Sequence, residues 1–280
     1  MNRIRVGVFL KGGIGNQLFQ IAAAFHLSQG SRIALYGNFT LPRKSKGVPD
    51  LLLFALPSSV EHAAISGHLV DRKLLSISLR QAITLQKNKF IKISKLLTAA
   101  IVNLYFSFRF RKRATVVSGD GVGYSPLKLK PGFNLLNGYF QSYLYVNDFF
   151  VQNQMRSLEI KSKSAKLTEL ICQARQDDPV FIHLRLGDYR SEASIGILTA
   201  NYYKRALELL SQTRGSKKIW VFSDEPKSVR DFINPPYNFE LTIVDDADLN
   251  PAEVLELMRY GSAYVIANST FSWWGAYLAY

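Results

Sequence analysis

The stretch PVFIHLRLGDY, residues 179–189, decides the fold class of this chain. Its apolar residues follow one another without a polar alternation, which is typical of a strand buried on both faces of a parallel sheet. Strand-like and helix-like segments then alternate four times within about a hundred residues, which predicts a doubly wound α/β layer. The predicted strands are 179–186, 217–223, 239–244 and 263–268, and the predicted helices are 201–212, the segment after Pro226, 251–260 and the segment that ends the chain.

The N-terminal part predicts a second layer of the same kind. An apolar strand at 4–10 leads into GGIGN, residues 12–16, and then into an apolar-periodic helix at 17–29 and a strand at 32–36. A strand, a helix and a strand in this order form the repeating unit of parallel sheets.

Residues 40–135 show no regular pattern that assigns them to elements. The chain is long enough for two modest domains, and we expect an N-terminal domain at 1–150 and a C-terminal domain at 151–280. If their sheets face each other, the carboxyl ends of the strands line a cleft, which is the expected ligand site.

Three of the predicted C-terminal strands end in side chains that can bind a ligand. Each side chain also has a local structural explanation, since Asp, Asn and Ser cap helices and Gly-Asp is a common turn pair. Their joint placement at one sheet edge favours a shared site. The predicted site residues at this edge are His183, Arg185, Asp188, Ser223, Asp224, Asn268, Ser269 and Thr270.

Two features of this edge predict a diphosphate ligand. Residues 268–270 place hydroxyl and free N–H groups at the positive end of a helix dipole. Arg185 ends a buried strand, where its desolvation is costly unless it faces an anion. The glycine loop lacks the full dinucleotide fingerprint, but glycines let a ligand approach the backbone closely. The residues predicted for this side of the cleft are Gly13, Gly15, Asn16 and Gln17.

The sequence offers no pattern typical of a disulfide or a metal site. Cys172 is the single cysteine, and its place in a helical pattern predicts a small buried residue, so we expect a reducing, cytoplasmic location. Asp246 and Asp248 resemble the acid pairs that bind divalent metals in some sugar transferases. They precede a capping box at Asn250 and Glu253, where Asp residues are ordinary turn formers, and we expect no metal.

The net charge of +14 is concentrated in one segment. Between Arg72 and Arg113 there are eleven Lys or Arg residues and no Asp or Glu. This basic window predicts an anionic partner, either a membrane surface or a nucleic acid, or else a solvated helical face. The apolar residues at 96–108 are too few to span a bilayer. They either lie at a membrane interface or pack into the N-terminal domain.

Three segments resemble the bacterial α-1,2-fucosyltransferases and their superfamily of GDP-fucose-dependent transferases. They are GGIGNQLFQIA at 12–22, HLRLGDY at 183–189 and ANSTFSWWGAYL at 267–278, with weaker support from FSDEP at 222–226. The resemblance implies a GT-B-like pair of Rossmann-type domains with the donor cleft between them. It also implies a GDP-fucose donor in the C-terminal half, inversion at the sugar carbon and no cofactor or metal.

The resemblance further assigns roles to residues. Arg185 occupies the position of the first arginine of H-x-R-R-x-D, which contacts the donor phosphate, and 268–270 line the same pocket. The second arginine is replaced by Leu186. As the catalytic base we nominate Asp188, with Glu192 and His183 behind it.

On the acceptor side, the resemblance implies an oligosaccharide of a surface polysaccharide, often lipid-linked, bound by the N-terminal domain. The enzyme would then lie peripherally on the inner face of the membrane. The chain stops at Tyr280, soon after the third motif, where similar proteins continue, so we expect the final helix to be incomplete.

Three alternatives remain open at this stage. The protein could use another nucleotide sugar, or it could be an inactive scaffold. It could also be a basic nucleic-acid-binding module, since aromatic and basic residues are interleaved at 105–113. That module would leave the polar sheet edge without a role, so we expect no nucleic acid partner.

Overall fold

The computed structural model describes residues 5–37, 49–62, 73–75, 77, 89–119, 123–191, 195–213, 218–234 and 239–279, without the side chains of 37, 62 and 89–94. The chain divides into two compact units, Met1–Glu159 and Ile160–Tyr280. The predicted boundary after residue 150 falls inside the helix Phe149–Arg156, which packs against the helix Ile14–Ser28. The division therefore comes after that helix.

The N-terminal unit consists, in chain order, of β1 (Val6–Leu10), α1 (Ile14–Ser28), β2 (Ile33–Gly37), β3 (Phe54–Ala55), β4 (Val60–His62), α2 (Lys89–Arg109), β5 (Ala114–Ser118), β6 (Phe133–Asn137), α3 (Phe149–Arg156) and, at the division, β7 (Glu159–Ile160). Five of these strands form a sheet in the order β4-β2-β1-β6-β5, in which all the paired strands are parallel. The segment 40–135, which the sequence left unassigned, provides β3, β4, β5, the start of β6 and the long helix α2.

The C-terminal unit consists of α4 (Ala165–Asp177), β8 (Val180–Leu184), α5 (Ala200–Thr213), β9 (Lys218–Ser223), α6 (Val229–Phe232), β10 (Glu240–Ile243), α7 (Pro251–Leu257), β11 (Ala263–Val265) and α8 (Thr270–Tyr277). The predicted alternation of strands and helices is confirmed in this unit. Its strands form a four-stranded parallel sheet in the order β10-β9-β8-β11.

Strand β8 lies at the centre of this unit, and all five of its residues are buried. The chain runs from β8 outward through β9 and β10 and then returns to add β11 on the other side of β8. The strands are all parallel, but the side on which the chain adds new strands changes between β8 and β11. In open α/β sheets this reversal opens a crevice at the carboxyl ends of the two strands, where ligands bind.

Two local predictions in this unit have opposite outcomes. The capping box is confirmed, because Asn250 accepts from the backbone N–H of Glu253 and the Glu253 carboxylate accepts from the backbone N–H of Asn250. The prediction that Cys172 is buried is wrong, since that residue is exposed on α4. The buried face of α4 is formed by its neighbours Leu167, Leu170, Ile171 and Ala174.

None of the helices in the described residues is both long enough and apolar enough to pass through a membrane.

Candidate functional site

The chain segments that leave β8 and β11 emerge side by side. Val265 of β11 pairs with Ile182 of β8, so Arg185 and the 268–270 segment follow neighbouring strands at the same sheet edge. This is the crevice that forms where the order of strand addition reverses. The two sequence segments that predicted a phosphate site are therefore brought to one edge of one unit.

Arg185 is held by carboxylates from two different strand ends. Its Nε and Nη2 atoms donate to Asp188 Oδ1 at 3.1 and 2.8 Å. Its Nη1 atom lies 3.1 Å from Asp224 Oδ2, while Asp224 Oδ1 accepts from the backbone N–H of Leu186 at 3.0 Å. Arg185 was expected to face an anion because it ends a buried strand, and the carboxylates of Asp188 and Asp224 are that anionic partner within the protein. The guanidinium is fixed in orientation before any ligand binds.

The glycine that follows is needed for this arrangement. A Cβ atom at Gly187 would overlap Asp224 Oδ2. Any side chain here would push the Asp224 carboxylate away from Arg185 and from the N–H of Leu186. Leu186 itself is buried in the core beside β8, so the residue that follows Arg185 contributes no charge to this edge.

His183 is buried beneath this edge. Its Nδ1 lies 2.6 Å from Ser272 Oγ, and its ring lies 5.6 Å from the ring of Phe271. Burial, and secondarily the positive charge of Arg185, lower the pKa of His183 from 6.5 to about 3. The imidazole is therefore neutral at physiological pH and joins α8 to β8. A contact between His183 and the donor remains a prediction.

The start of α8 is also used structurally. Ser269 caps the helix, because its hydroxyl accepts from the backbone N–H of Phe271 at 3.3 Å. The Asn268 amide donates to the carbonyl oxygens of Ile195 and Gly196 at 3.1 and 3.2 Å and so fixes the loop before α5. Thr270 begins the helix and is half-buried. Donor contacts by these three residues remain predictions.

The end of β9 completes the edge. The Ser223 hydroxyl accepts from the backbone N–H of Glu225 at 3.1 Å. The Glu225 carboxylate binds the guanidinium of Arg190 at distances between 2.8 and 3.2 Å. Arg190 is thus a second arginine at this edge, tied to a single carboxylate. Glu192, a nominated base, lies outside the described residues.

The glycine loop of the N-terminal unit is shorter than predicted. Helix α1 begins at Ile14, so Gly15, Asn16 and Gln17 lie in its first turn and only Gly13, the N-cap residue, remains outside it. The prediction of a helix that starts at Gln17 was wrong. The turn is made at Gly12, whose φ of +74° is a conformation that side-chain-bearing residues rarely adopt.

Two of these predicted cleft residues have structural partners. Gln17 is buried, donates to the carbonyl oxygen of Gly12 at 2.9 Å and accepts from the backbone N–H of Leu51 at 2.8 Å. Asn16 accepts from the Gln141 amide at 2.7 Å. Gln17 therefore stabilises the turn, and ligand contacts by these residues remain predictions.

Lys11, which follows β1 directly, was not among the predicted site residues. Its ammonium donates to Asn137 Oδ1 and lies 5.8 Å from the ring centre of Tyr139, and its backbone is held by the buried amide of Gln20. Burial lowers the pKa of Lys11 to about 8. In the sequence, the feature that could have identified this residue is a lysine placed between a fully apolar strand and a glycine turn.

Among the described residues, no group of three or more His, Cys, Asp or Glu side chains could hold a metal ion. Asp246 is partly buried, and this burial raises the pKa of its carboxyl group. Its backbone carbonyl accepts from the N–H of Leu249 at 3.0 Å, as expected for a turn. Metal independence remains a prediction.

Comparison with protein families bears on the chemistry of this edge. The model of the family described as Glycosyl transferase family 11 matches residues 5–280. The chain belongs to glycosyltransferase family 11. The predicted family is therefore confirmed, and the protein is a glycosyltransferase.

Two relatives of this family 11 glycosyltransferase come from Escherichia coli. The O-antigen biosynthesis glycosyltransferase WbnK is 27% identical in an alignment of 295 positions, gaps included, that covers 96% of this chain and 88% of WbnK. An α-1,2-colitosyltransferase is 31% identical in an alignment of 147 positions that covers 46% of this chain and 49% of that protein.

Solved structures show a similar fold. The α-1,6-fucosyltransferase NodZ, soaked with GDP-fucose, has a TM-score of 0.50 at 9% identity and covers 99% of this chain and 93% of NodZ. The fucosyltransferase NodZ from Bradyrhizobium has a TM-score of 0.50 at 10% identity, with coverage of 99% and 93%. The predicted α/β class with two Rossmann-type, GT-B-like units is confirmed. The position of the donor cleft remains a prediction.

Proposed function

We propose that this family 11 glycosyltransferase is an inverting α-1,2-fucosyltransferase. GDP-fucose is the donor, and the acceptor is a galactoside at the end of a surface oligosaccharide that is still attached to its lipid carrier. The supporting observation is that Arg185 and the start of α8 follow the carboxyl ends of two paired strands, β8 and β11, at one sheet edge. A relative that acts in O-antigen biosynthesis supports the acceptor class. This acceptor would place the enzyme at the cytoplasmic face of the membrane.

The chemistry assigned to the site is displacement of a nucleoside diphosphate. The acceptor hydroxyl attacks the sugar carbon opposite the diphosphate, and negative charge grows on the leaving phosphate oxygen. A rigidly held guanidinium can bind this charge with two N–H groups at once. The N–H groups at the start of α8 add the positive end of a helix dipole.

Donor binding would rearrange the carboxylates around Arg185. Asp224 is bound to the backbone and to Arg185, while Asp188 reaches the guanidinium from an exposed position. We therefore expect the diphosphate to displace Asp188 and to leave Asp224 in place. To accept the proton of an acceptor hydroxyl that attacks opposite the diphosphate, the displaced Asp188 carboxylate would have to move to the other face of the sugar.

The donor is tested with a panel of nucleotide sugars. We expect GDP-fucose to be hydrolysed slowly without acceptor and transferred rapidly with a galactoside acceptor, giving an α-1,2 linkage by NMR. Faster turnover of a UDP-sugar would contradict the proposal. GDP-colitose is the informative competitor, because one relative transfers colitose, which lacks one hydroxyl of fucose. A site that binds this hydroxyl discriminates strongly against a sugar without it.

We also expect transfer to continue in excess chelator. Arg185 and the start of α8 supply the positive charge that a divalent metal supplies in other sugar transferases. The measurement is the initial rate of transfer with EDTA, with EDTA followed by Mn²⁺, and without additions. A rate that falls in EDTA and recovers with Mn²⁺ or Mg²⁺ would contradict this and would point to Asp246 and Asp248.

A further inference from the structure

Helix α2 is attached to the N-terminal unit by one face. Val102 and Phe106 are buried in the core together with Tyr36 and Phe133. A hydrogen bond adds to this attachment, because the Asn103 side chain accepts from the backbone N–H of Val116 at 2.8 Å. The rotation of the helix about its axis is therefore fixed, and so is the identity of the residues on its opposite face.

The opposite face of α2 is apolar and open to solvent. Its side chains are between 61% and 85% exposed, on the order of 500 Å² of apolar surface in one patch, which is at the upper end for a monomeric soluble protein. The alternative that these residues pack into the N-terminal domain is therefore wrong. We call this set the outer face of α2, and it consists of Leu96, Leu97, Ile101, Leu104 and Phe108.

The shape of the outer face suits a planar surface. Leu97, Ile101, Leu104 and Phe108 are spaced by four, three and four residues, so they form a single row along the helix, about 16 Å long. A narrow apolar row on an otherwise folded unit is typical of helices that lie in the boundary between lipid headgroups and acyl chains.

The charge around the outer face selects the kind of surface. The row ends at Phe108, and the exposed residues Arg111 and Arg113 follow within five residues, whereas the ammonium of Lys112 lies over the buried ring of Phe133. The basic window from Arg72 to Arg113 contains eleven cations and no acidic residue. Arginines at the end of an apolar row match the anionic headgroups and the acyl chains of an acidic bilayer at the same time.

The other possible occupants fit less well. A second copy of this chain would bring two basic windows together across a symmetric interface, and like charges at an interface are unfavourable. The phosphates of a nucleic acid would bind the cations. Its bases, however, stack on aromatic rings and guanidinium groups, so they would not cover the aliphatic side chains of Leu97, Ile101 and Leu104.

We propose that the outer face of α2 docks onto a bilayer surface that contains anionic phospholipid. The cations attract the protein, and the apolar row inserts shallowly and adds an attraction that salt does not screen. Binding is reversible. It needs no substrate, so it can be tested even if the proposed transferase activity is not found.

The test is flotation of the full chain with phosphatidylcholine vesicles, with and without phosphatidylglycerol, at low and high salt. We expect flotation only with the anionic vesicles. The double variant L104Q/F108Q should bind at least tenfold more weakly and should lose any binding that persists in high salt. The double variant R111Q/R113Q should also bind at least tenfold more weakly. Lys87, and the side chains of Lys89 and Lys92, lie outside the described residues and are left unchanged.

Each double variant has a matched control on exposed positions elsewhere. L209Q/F149Q removes one leucine and one phenylalanine that are 61% and 78% exposed, and R205Q/R230Q removes two exposed arginines. Both controls should float as the native protein does. Melting temperatures show whether each variant is folded, which is expected because all eight positions are exposed.

Three results would overturn the proposal. The first is equal flotation with both vesicle types, or flotation with neither. The second is native flotation of L104Q/F108Q or R111Q/R113Q. The third is a mass that rises with protein concentration in light scattering and returns to the monomer value in L104Q/F108Q, which would assign the outer face to a second copy of the chain.

Discussion

Replacing Arg185 with alanine should reduce transfer by about 100-fold or more and leave the fold intact, because loss of one well-placed group that stabilises developing charge has an effect of this order. The guanidinium acts on the leaving diphosphate, whose charge grows during the reaction. Both kcat and kcat/KM should therefore fall, as expected when an interaction is made mainly in the transition state.

The fold should survive this change because Arg185 is not part of the core. Its side chain is half-buried at the sheet edge, and its ion pairs with Asp188 and Asp224 are open to solvent on one side. Such pairs contribute about 1 kcal/mol or less. Asp224 also keeps its hydrogen bond from the backbone N–H of Leu186. The melting temperature should stay close to that of the native protein.

Arg190 provides the matched control. It lies at the same edge and its guanidinium hydrogen-bonds to the carboxylate of Glu225, whereas Asp224 of the Asp188–Arg185–Asp224 network attracts it through charge alone. Arg190→Gln should therefore retain most of the activity. Arg185→Lys should have intermediate activity, since lysine keeps the charge but not the planar fork. Near-native kcat/KM in Arg185→Ala would remove this residue from the site.

The C-terminal unit could be predicted from sequence because its determinants are local. The central strands β8 and β9 are short, mainly apolar runs buried on both faces, and Asn250 with Glu253 forms a cap within four consecutive residues. The polar residues at the sheet edge followed from strand order alone. Their partners could not be predicted, since the pairing of Arg185 with Asp224 depends on how β8 and β9 align in space.

The N-terminal unit was harder to predict for a related reason. Helix α2 is apolar on two faces, and helical periodicity does not tell which of them packs; the structure buries Val102 and Phe106 and exposes the row that ends at Phe108. Cys172 shows the same limit on a smaller scale. It is adjacent to the buried Ile171, yet a step of one residue turns it to the solvent side of α4.

The stability of the protein should fall steeply in mild acid because of His183. The buried imidazole remains neutral down to about pH 3, whereas in the unfolded chain the same group binds a proton near its ordinary pKa of 6.5. Below pH 6.5 the unfolded state therefore binds more protons than the folded state. The free energy of unfolding then decreases as the pH falls, by about 1.4 kcal/mol per pH unit for one such group.

We expect this group to lower the free energy of unfolding by about 2–3 kcal/mol between pH 7 and pH 4.5. Other histidines and some Glu carboxylates also titrate in this range, so the contribution of His183 is obtained by comparison with a variant that lacks it. The measurement is urea unfolding at several pH values for the native protein and for His183→Asn. The variant is expected to be less stable at neutral pH, but its stability should change less with pH, and the difference between the two slopes is the quantity tested.

Ser272→Ala separates the effect of burying His183 from the effect of its hydrogen bond with Ser272. It removes the hydroxyl that lies 2.6 Å from His183 Nδ1 and should cost about 1–2 kcal/mol at every pH. Because burial is the main cause of the lowered pKa of His183, the dependence of stability on pH should persist in this variant. If the native protein and His183→Asn lose stability in parallel between pH 7 and pH 4.5, the histidine is protonated in the folded state. It would then add a second positive charge beneath Arg185 and would be able to take part directly in binding a diphosphate.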